Sequence, residues 1–140
     1  MSEVLAQLKQ KGSGELKETV LWTNPSPTAN YSGGRISLSD NINNYKYLKF
    51  VWKESTSRDV YVSVIAKVDE FKTSSVATAG TATNAFSYGS IYFKQTAGTA
   101  GVRLVYYATD NSLEITTAFE INGQGLNASL NIPYQVIGLK

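Results

Sequence analysis

The carboxylate side chains are the groups of this sequence that come closest to catalytic chemistry. Hydrolysis of a glycosidic bond needs two carboxyl groups that face each other across a cleft, about 5–10 Å apart. Glu114 and Glu120 alternate onto one face of a predicted strand, where their spacing corresponds to about 20 Å at ~3.3–3.4 Å per residue. Asp69 and Glu70 follow the end of another predicted strand, a position typical of solvated charges. The sequence therefore indicates no catalytic residue, and we expect a protein that is not an enzyme.

The sequence contains no histidine and no cysteine. A Ser-His-Asp triad, a cysteine nucleophile, a disulfide and a zinc site with imidazole or thiolate ligands are therefore excluded within this chain. Asp110-Asn111-Ser112 offers oxygen ligands for Ca²⁺ but lacks the full spaced loop of a calcium site. Ser32-Gly33-Gly34 lacks the lysine and the following helix of a phosphate-binding loop. We expect no metal and no cofactor.

Charge and hydropathy patterning limit the classes of partner. The 13 basic residues nearly balance the 11 acidic ones, for a net charge of +2, whereas nucleic-acid-binding domains usually carry a clustered basic face. The longest apolar run, from Val60 to Val68, is interrupted by Ser63 and Lys67 and is much shorter than the ~18 residues of a membrane span. The first residues lack the apolar stretch of a secretion signal. We expect a protein made in a cytoplasm, with neither nucleic acid nor membrane as a partner.

Alternation of apolar and polar residues begins at Glu18 and predicts strands with one buried face. Leu48, Phe50 and Trp52 share one such face. The next predicted strand places a longer set on its inward face: Val60, Val62, Val64, Ala66 and Val68. This pattern of period two predicts sheets rather than helices over most of the chain.

The remaining segments add further strands without a helix between them. Val102 to Ile121 is predicted to form a hairpin around the polar turn Thr109–Ser112. Parallel strands need crossovers of a dozen or more residues, which are usually helical. The sequence therefore predicts an all-β domain over residues 18–140, an antiparallel β-sandwich or jelly-roll-like fold of about eight strands. A closed barrel is the alternative.

Some of the nine tyrosines in the chain are the strongest candidates for contact with a ligand. Aromatic side chains of inward parity are expected in the core: Trp22, Phe50, Trp52, Phe93, Tyr106, Phe119 and Tyr134. Tyr61, Tyr92 and Tyr107 have outward parity, and so does Arg103. Aromatic ring faces stack on sugar C–H groups while charged groups bind hydroxyls, so these four residues form our predicted saccharide-binding surface. An oligomer interface and an ordinary sheet surface are the alternatives.

Apolar residues of outward parity predict an oligomer. Val51, Ile65 and Val105 fall on the face that should meet water, together with Tyr47. Apolar side chains grouped on an exposed sheet face commonly mark a protein interface. We therefore predict an oligomer interface formed by these four residues.

Residues 1–17 are predicted to form a short helix and a linker. Val4, Leu5 and Leu8 share one helical face, and Gly12 can end the helix. A helix of about ten residues is marginal in water by itself, so it should dock on a partner. We interpret it as an attachment or trimerisation peg that uses Val4, Leu5 and Leu8; a frayed terminus is the alternative.

Several segments together resemble a known family. They are LWTNPSPT at 21–28, ISLSD at 36–40 with YKYL at 45–48, RLVYY at 103–107 and NIPYQVIGLK at 131–140. Over residues 18–140 the chain is similar to the C-terminal β-domain of tail, baseplate and fibre proteins of phages that infect Gram-positive bacteria.

The resemblance implies a virion protein, a homotrimer that attaches to other virion proteins and to the host surface. Cell-wall polysaccharide is the ligand that this implies. Only some 17 residues precede the domain in this sequence, so we expect no fibre shaft of its own. A decoration, collar or connector protein of the virion with no ligand is therefore the alternative.

Overall fold

The structure is a computed structural model that describes residues 17–73, 91–94, 100–116, 119–120 and 129–140. Within these ranges the chain is mainly extended, with one short α-helix and one 3-10 turn. The strands are β1 (Glu18–Thr23), β2 (Gly34–Ser37), β3 (Tyr47–Ser55), β4 (Arg58–Lys67), β5 (Ile91–Lys94), β6 (Ala100–Arg103), β7 (Val105–Thr109), β8 (Ser112–Ile115), β9 (Phe119–Glu120) and β10 (Leu130–Leu139). The helix α1 spans Val68–Thr73, and the 3-10 turn spans Ile42–Asn44.

Seven of these strands form two antiparallel sheets. Sheet A has the order β1-β10-β3-β4, and sheet B has the order β2-β8-β7. The short strands β5, β6 and β9 pair antiparallel with one another in a third ladder. The prediction of a mainly β, antiparallel fold is confirmed for the described ranges, and the two larger sheets account for seven strands where about eight were predicted.

One cluster of buried side chains joins sheets A and B. Leu48, Phe50 and Trp52 point into it from β3, so the predicted inward face of this strand is confirmed. The ring of Phe71 in α1 packs on that of Phe50, with the centroids 5.4 Å apart. We call this set the core cluster: Leu21, Ile36, Leu38, Ile42, Tyr45, Leu48, Phe50, Trp52, Ala66, Val68, Phe71, Val105, Leu113, Ile115 and Val136. Two antiparallel sheets that share one core are consistent with a β-sandwich.

The predicted strand from Val102 to Ala108 is broken at Leu104. β6 ends at Arg103 in the third ladder, and β7 begins at Val105 in sheet B. The Leu104 N–H donates to Thr116 Oγ1 at 2.9 Å, and Leu104 O accepts from the Thr116 N–H at 2.9 Å. Because the chain changes sheet here, Arg103, Leu104 and Val105 are all buried and the alternation fails. The outward placement of Arg103 and Val105 was therefore wrong.

The second arm of the predicted hairpin is also divided. Glu114 lies in β8 of sheet B, whereas Glu120 lies in β9 of the third ladder. Their assignment to one continuous strand was wrong, because the chain leaves sheet B after Ile115. Glu114 accepts a 2.8 Å hydrogen bond from the Arg35 guanidinium on the neighbouring strand. This carboxylate therefore belongs to a cross-strand ion pair.

The first half of β4 carries exposed apolar residues. Val60 and Val62, predicted to point inward, are exposed, whereas Ala66 and Val68 are buried as predicted. β4 is the edge strand of sheet A, with β3 as its partner on one side. An edge strand has fewer neighbours than a central strand, so parity alone does not bury its side chains.

Candidate functional site

An exposed tyrosine near the beginning of β4 packs on a half-buried tyrosine of β10. Tyr61 is 44% exposed, and its ring packs on the ring of Tyr134 with the centroids 4.9 Å apart and the planes tilted by 54°. Val60 and Val62 beside it are 43% and 48% exposed. An aromatic ring supported by a second ring offers a firm apolar face to a ligand.

Tyr134 was expected in the core, and its part in this site was missed. It is half-buried, at an irregularity in β10 where the register shifts between Pro133 and Gln135. Proline within a sheet is found mainly at edges and bulges because it has no N–H for the ladder. Pro133 was therefore the sequence signal that alternation stops here and that Tyr134 faces away from the core.

Charged and polar groups lie next to the ring pair. Lys53 faces Tyr61 across the β3–β4 ladder, and its buried ammonium donates to the Ser55 carbonyl oxygen at 2.6 Å. The same ammonium is 3.9 Å from the Asp59 carboxylate, whose side chain is 91% exposed. Exposed carboxylate oxygens accept hydrogen bonds from ligand hydroxyls. The surface thus combines an aromatic face with an acceptor, the groups that a saccharide requires, and we call Tyr61, Tyr134 and Asp59 the tyrosine surface.

The Tyr61 hydroxyl remains protonated over the whole neutral range. Desolvation raises the pKa of Tyr61 above its ordinary value, and the negative charge of Asp59 and the neighbouring Tyr134 raise this pKa further. The phenol therefore offers an O–H donor as well as a ring face. No proton transfer is needed for such a contact, so the group is suited to binding.

Arg103 is a structural residue and cannot contact a saccharide on the surface. It is fully buried, and its guanidinium donates to the carbonyl oxygens of Tyr31 at 3.0 Å, Thr116 at 2.9 Å and Leu130 at 2.8 Å. Burial lowers the pKa of Arg103 to about 10, so it is still charged at neutral pH. Its expected place in the binding surface was wrong, because Arg103 ends β6 just before the chain changes sheet.

Tyr107 belongs to a polar network at a distance from Tyr61. Its hydroxyl donates to Asp110 Oδ1 at 2.7 Å, and the Lys72 ammonium lies 5.4 Å from its ring centroid. Lys72 also forms a 3.4 Å ion pair with Asp110 and donates to Asn43 at 2.8 Å. This network joins α1 to the β7–β8 hairpin. Since α1 follows the far end of β4, about 20 Å along the strand from Tyr61, the structure does not bring the two tyrosines together.

The Tyr107–Asp110 contact predicts a stability difference that depends on pH. The Tyr107 hydrogen bond holds the pKa of Asp110 below its ordinary value, with help from Asn43 and Lys72. A lowered folded-state pKa stabilises the fold above the ordinary value of about 3.9 and ceases to do so as the pH falls through the folded value. Urea unfolding of Tyr107→Phe should therefore show a deficit at pH 7 that shrinks below about pH 3.9. Tyr106→Phe is the control, and a deficit independent of pH would contradict the prediction.

Three of the four predicted interface residues lie on one face of sheet A. Tyr47 and Val51 in β3 and Ile65 in β4 have the same parity, and all three are half-buried. Lys49 stands between them opposite Ile65. Val105 is not part of this face, because it is fully buried in the core cluster. We call Tyr47, Val51 and Ile65 the outer face of sheet A.

Two other sets of predicted residues have no described side chains. Val4, Leu5 and Leu8 of the predicted peg lie outside the described residues. Tyr92 lies in β5, whose backbone pairs with β6, but its side chain is outside the described part. The saccharide-binding prediction therefore keeps Tyr61 as its one candidate with a described, exposed ring.

Comparison with known proteins leaves the function to be argued from these residues. No protein-family model matches the chain, and no curated protein matches it significantly. Within residues 17–73, 91–94, 100–116, 119–120 and 129–140, no helix is long and apolar enough to cross a membrane. The same residues contain no group of three or more acidic side chains arranged to hold a metal ion.

Proposed function

We propose that this chain is a structural protein of a phage virion, a tail, baseplate or fibre component, that binds saccharide on the host cell surface. The observation that carries the binding function is the exposed Tyr61 ring supported by Tyr134 beside the Asp59 carboxylate. The phage context rests on the resemblance of the four sequence segments. The proposal includes a jelly-roll-like connection of the strands in a sandwich.

Binding at the tyrosine surface needs no covalent chemistry. The Tyr61 ring stacks on the C–H face of a sugar, and Tyr134 holds that ring in place. The Asp59 carboxylate accepts from sugar hydroxyls and the Tyr61 hydroxyl donates to them. A shallow site of this kind binds weakly, and three copies on one particle would strengthen attachment through multivalency.

Replacing Tyr61 tests the tyrosine surface directly. Tyr61→Ala should weaken binding to an array of bacterial cell-wall polysaccharides about tenfold, the effect of losing ~1.4 kcal/mol of ring contact. Tyr61→Phe keeps the ring and should retain most of the binding. Tyr106→Ala, a half-buried tyrosine in sheet B, is the matched control.

The array also separates the proposal from its alternative. Unchanged binding by Tyr61→Ala would show that the tyrosine surface is not the saccharide-binding site. If the unmodified protein binds none of the polysaccharides, a decoration, collar or connector role without a ligand becomes the better explanation.

We also propose that three copies of the chain associate, and this trimer predicts the mass of the protein in solution. Light scattering should give about three times the 15.3 kDa of one chain. Val51→Asp or Ile65→Asp would place a charge in the contact between copies and should reduce the mass to that of one chain. Val62→Asp, on the opposite face of β4, is the control and should leave the mass unchanged. A single-chain mass for the unmodified protein would contradict the trimer.

A further inference from the structure

A cavity of about 450 Å³ opens where β3 begins and β4 ends, at the end of sheet A opposite to Tyr61. It is lined by Tyr45, Lys46, Tyr47, Lys67 and Asp69. Tyr47 and Lys67 are direct partners in the β3–β4 ladder, so their side chains lie side by side. Its volume lies within the ~300–1,000 Å³ of small-molecule sites.

The backbone around this cavity is held firmly by hydrogen bonds. The Lys46 N–H donates to Leu139 O at 2.9 Å, and Lys46 O accepts from the Val68 N–H at 2.9 Å. Lys46 is thus fastened both to the end of β10 and to the start of α1. The buried Tyr45 ring is fixed by its hydroxyl, which donates to Asp40 Oδ2 at 2.8 Å. The backbone at Lys46 and the Tyr45 ring are therefore held in place beside the cavity.

Within the described residues, several cations pair with a carboxylate, whereas the two lysines of the cavity do not. Five cations of the described chain each lie within 4.0 Å of a carboxylate oxygen: Arg35, Lys49, Lys53, Arg58 and Lys72. In the same described part, neither Lys46 nor Lys67 forms such a pair. Lys140 is outside the lining, and its ammonium lies 5.5 Å from the centroid of the Tyr45 ring. Asp69 is the one acid in the lining, and Glu70 follows it on α1.

We propose that this cavity binds a phosphate-bearing ligand. The Lys46 and Lys67 ammonium groups donate to the phosphate oxygens, because lysine binds phosphate as a mobile point charge with three donors. The half-buried Tyr47 ring contacts the carbon skeleton that carries the phosphate. The proposal does not depend on the tyrosine surface, which lies at the other end of β4 and offers an exposed carboxylate instead of ammonium groups.

Titration of the full chain followed by two-dimensional ¹H–¹⁵N NMR tests the site. Inorganic phosphate and glycerol 3-phosphate should each shift the amide signals of residues 45–47 and 67–69 with saturation. Glycerol and sodium chloride at equal ionic strength should not shift them in this way. Tighter binding of glycerol 3-phosphate than of inorganic phosphate supports a phosphate ester that also uses Tyr47, and equal affinities support free phosphate as the ligand.

Charge variants give effects of opposite sign. Lys46→Gln combined with Lys67→Gln should weaken phosphate binding about tenfold, through loss of two charge-assisted contacts. Lys49→Gln, in β3, removes one positive charge outside the cavity and should leave binding unchanged. Asp69→Asn removes the repelling carboxylate and should strengthen binding about twofold.

Three results would overturn the proposal. They are the absence of saturable shifts, shifts reproduced by sodium chloride, and equal binding by the double variant and by Lys49→Gln. None of these bears on polysaccharide binding by Tyr61, so the two sites succeed or fail separately.

Discussion

Arg103→Met is expected to lower the free energy of unfolding by about 4 kcal/mol, within the range for removing one partner from a buried charged contact. The methionine fills similar space but donates no hydrogen bond. The carbonyl oxygens of Tyr31, Thr116 and Leu130 would then remain buried without the donors that now lie 2.8–3.0 Å away. Because these oxygens belong to three separate segments, the loss should loosen all three together. Urea unfolding followed by tryptophan fluorescence measures the change.

Two further variants make the Arg103 prediction specific. Arg103→Lys keeps the charge but cannot reach three carbonyl oxygens with the planar geometry of a guanidinium, so it should lose about half as much stability. It also provides a folded sample if the methionine variant does not fold. Arg35→Met is the matched control, since Arg35 pairs with Glu114 on the surface and such pairs contribute at most about 1 kcal/mol. Equal losses for Arg35→Met and Arg103→Met would contradict the structural role.

The role of Arg103 also shows where alternation in the sequence stops being informative. Arg103, Leu104 and Val105 read as one regular strand, and a regular strand places Arg103 and Val105 outside. The chain instead passes from the third ladder to sheet B at Leu104, and hydrogen bonds between Leu104 and Thr116 hold this crossing in place. That crossing depends on a residue twelve positions away, so the local period could not reveal it.

Other features were accessible from the sequence because they depend on local pattern. The inward face of β3 follows from strict alternation in a central strand, and Leu48, Phe50 and Trp52 are all buried. The exposed ring of Tyr61 agrees with its outward parity, but Val60 and Val62 of the opposite parity are exposed as well, so alternation does not decide exposure on this edge strand. The pairing of β10 with both β1 and β3 joins segments far apart in the chain, and no local property specifies it. Pro133 marks the bulge in β10 locally, but the packing of Tyr134 on Tyr61 also depends on how β10 pairs with β3, so this contact was missed.

Gly138→Ala is expected to lower the free energy of unfolding by about 2–3 kcal/mol, in the upper part of the ~1–3 kcal/mol that overpacking a filled core typically costs. A Cβ atom at Gly138 would lie 2.5 Å from Tyr45 Cδ1 and 2.7 Å from Cγ and Cε1. Glycine is required here for space, because the ring of Tyr45 packs directly on the backbone of β10. The ring cannot move aside freely, since it is buried and its hydroxyl donates to Asp40 at 2.8 Å. Urea unfolding gives the size of the effect.

A double-mutant cycle identifies the cause of that loss. Tyr45→Leu removes the flat ring that the new methyl group would meet, so Gly138→Ala should cost at least ~1 kcal/mol less in the Tyr45→Leu background than in the unmodified protein. Tyr45→Phe keeps the ring and frees it from Asp40, so it should relieve only part of the cost. Additive effects of Gly138→Ala and Tyr45→Leu would contradict a direct contact.

Because Tyr45 also lines the phosphate cavity, Gly138→Ala should weaken glycerol 3-phosphate binding even in molecules that remain folded. The same glycine would then determine both the packing of β10 and the shape of the cavity beside it.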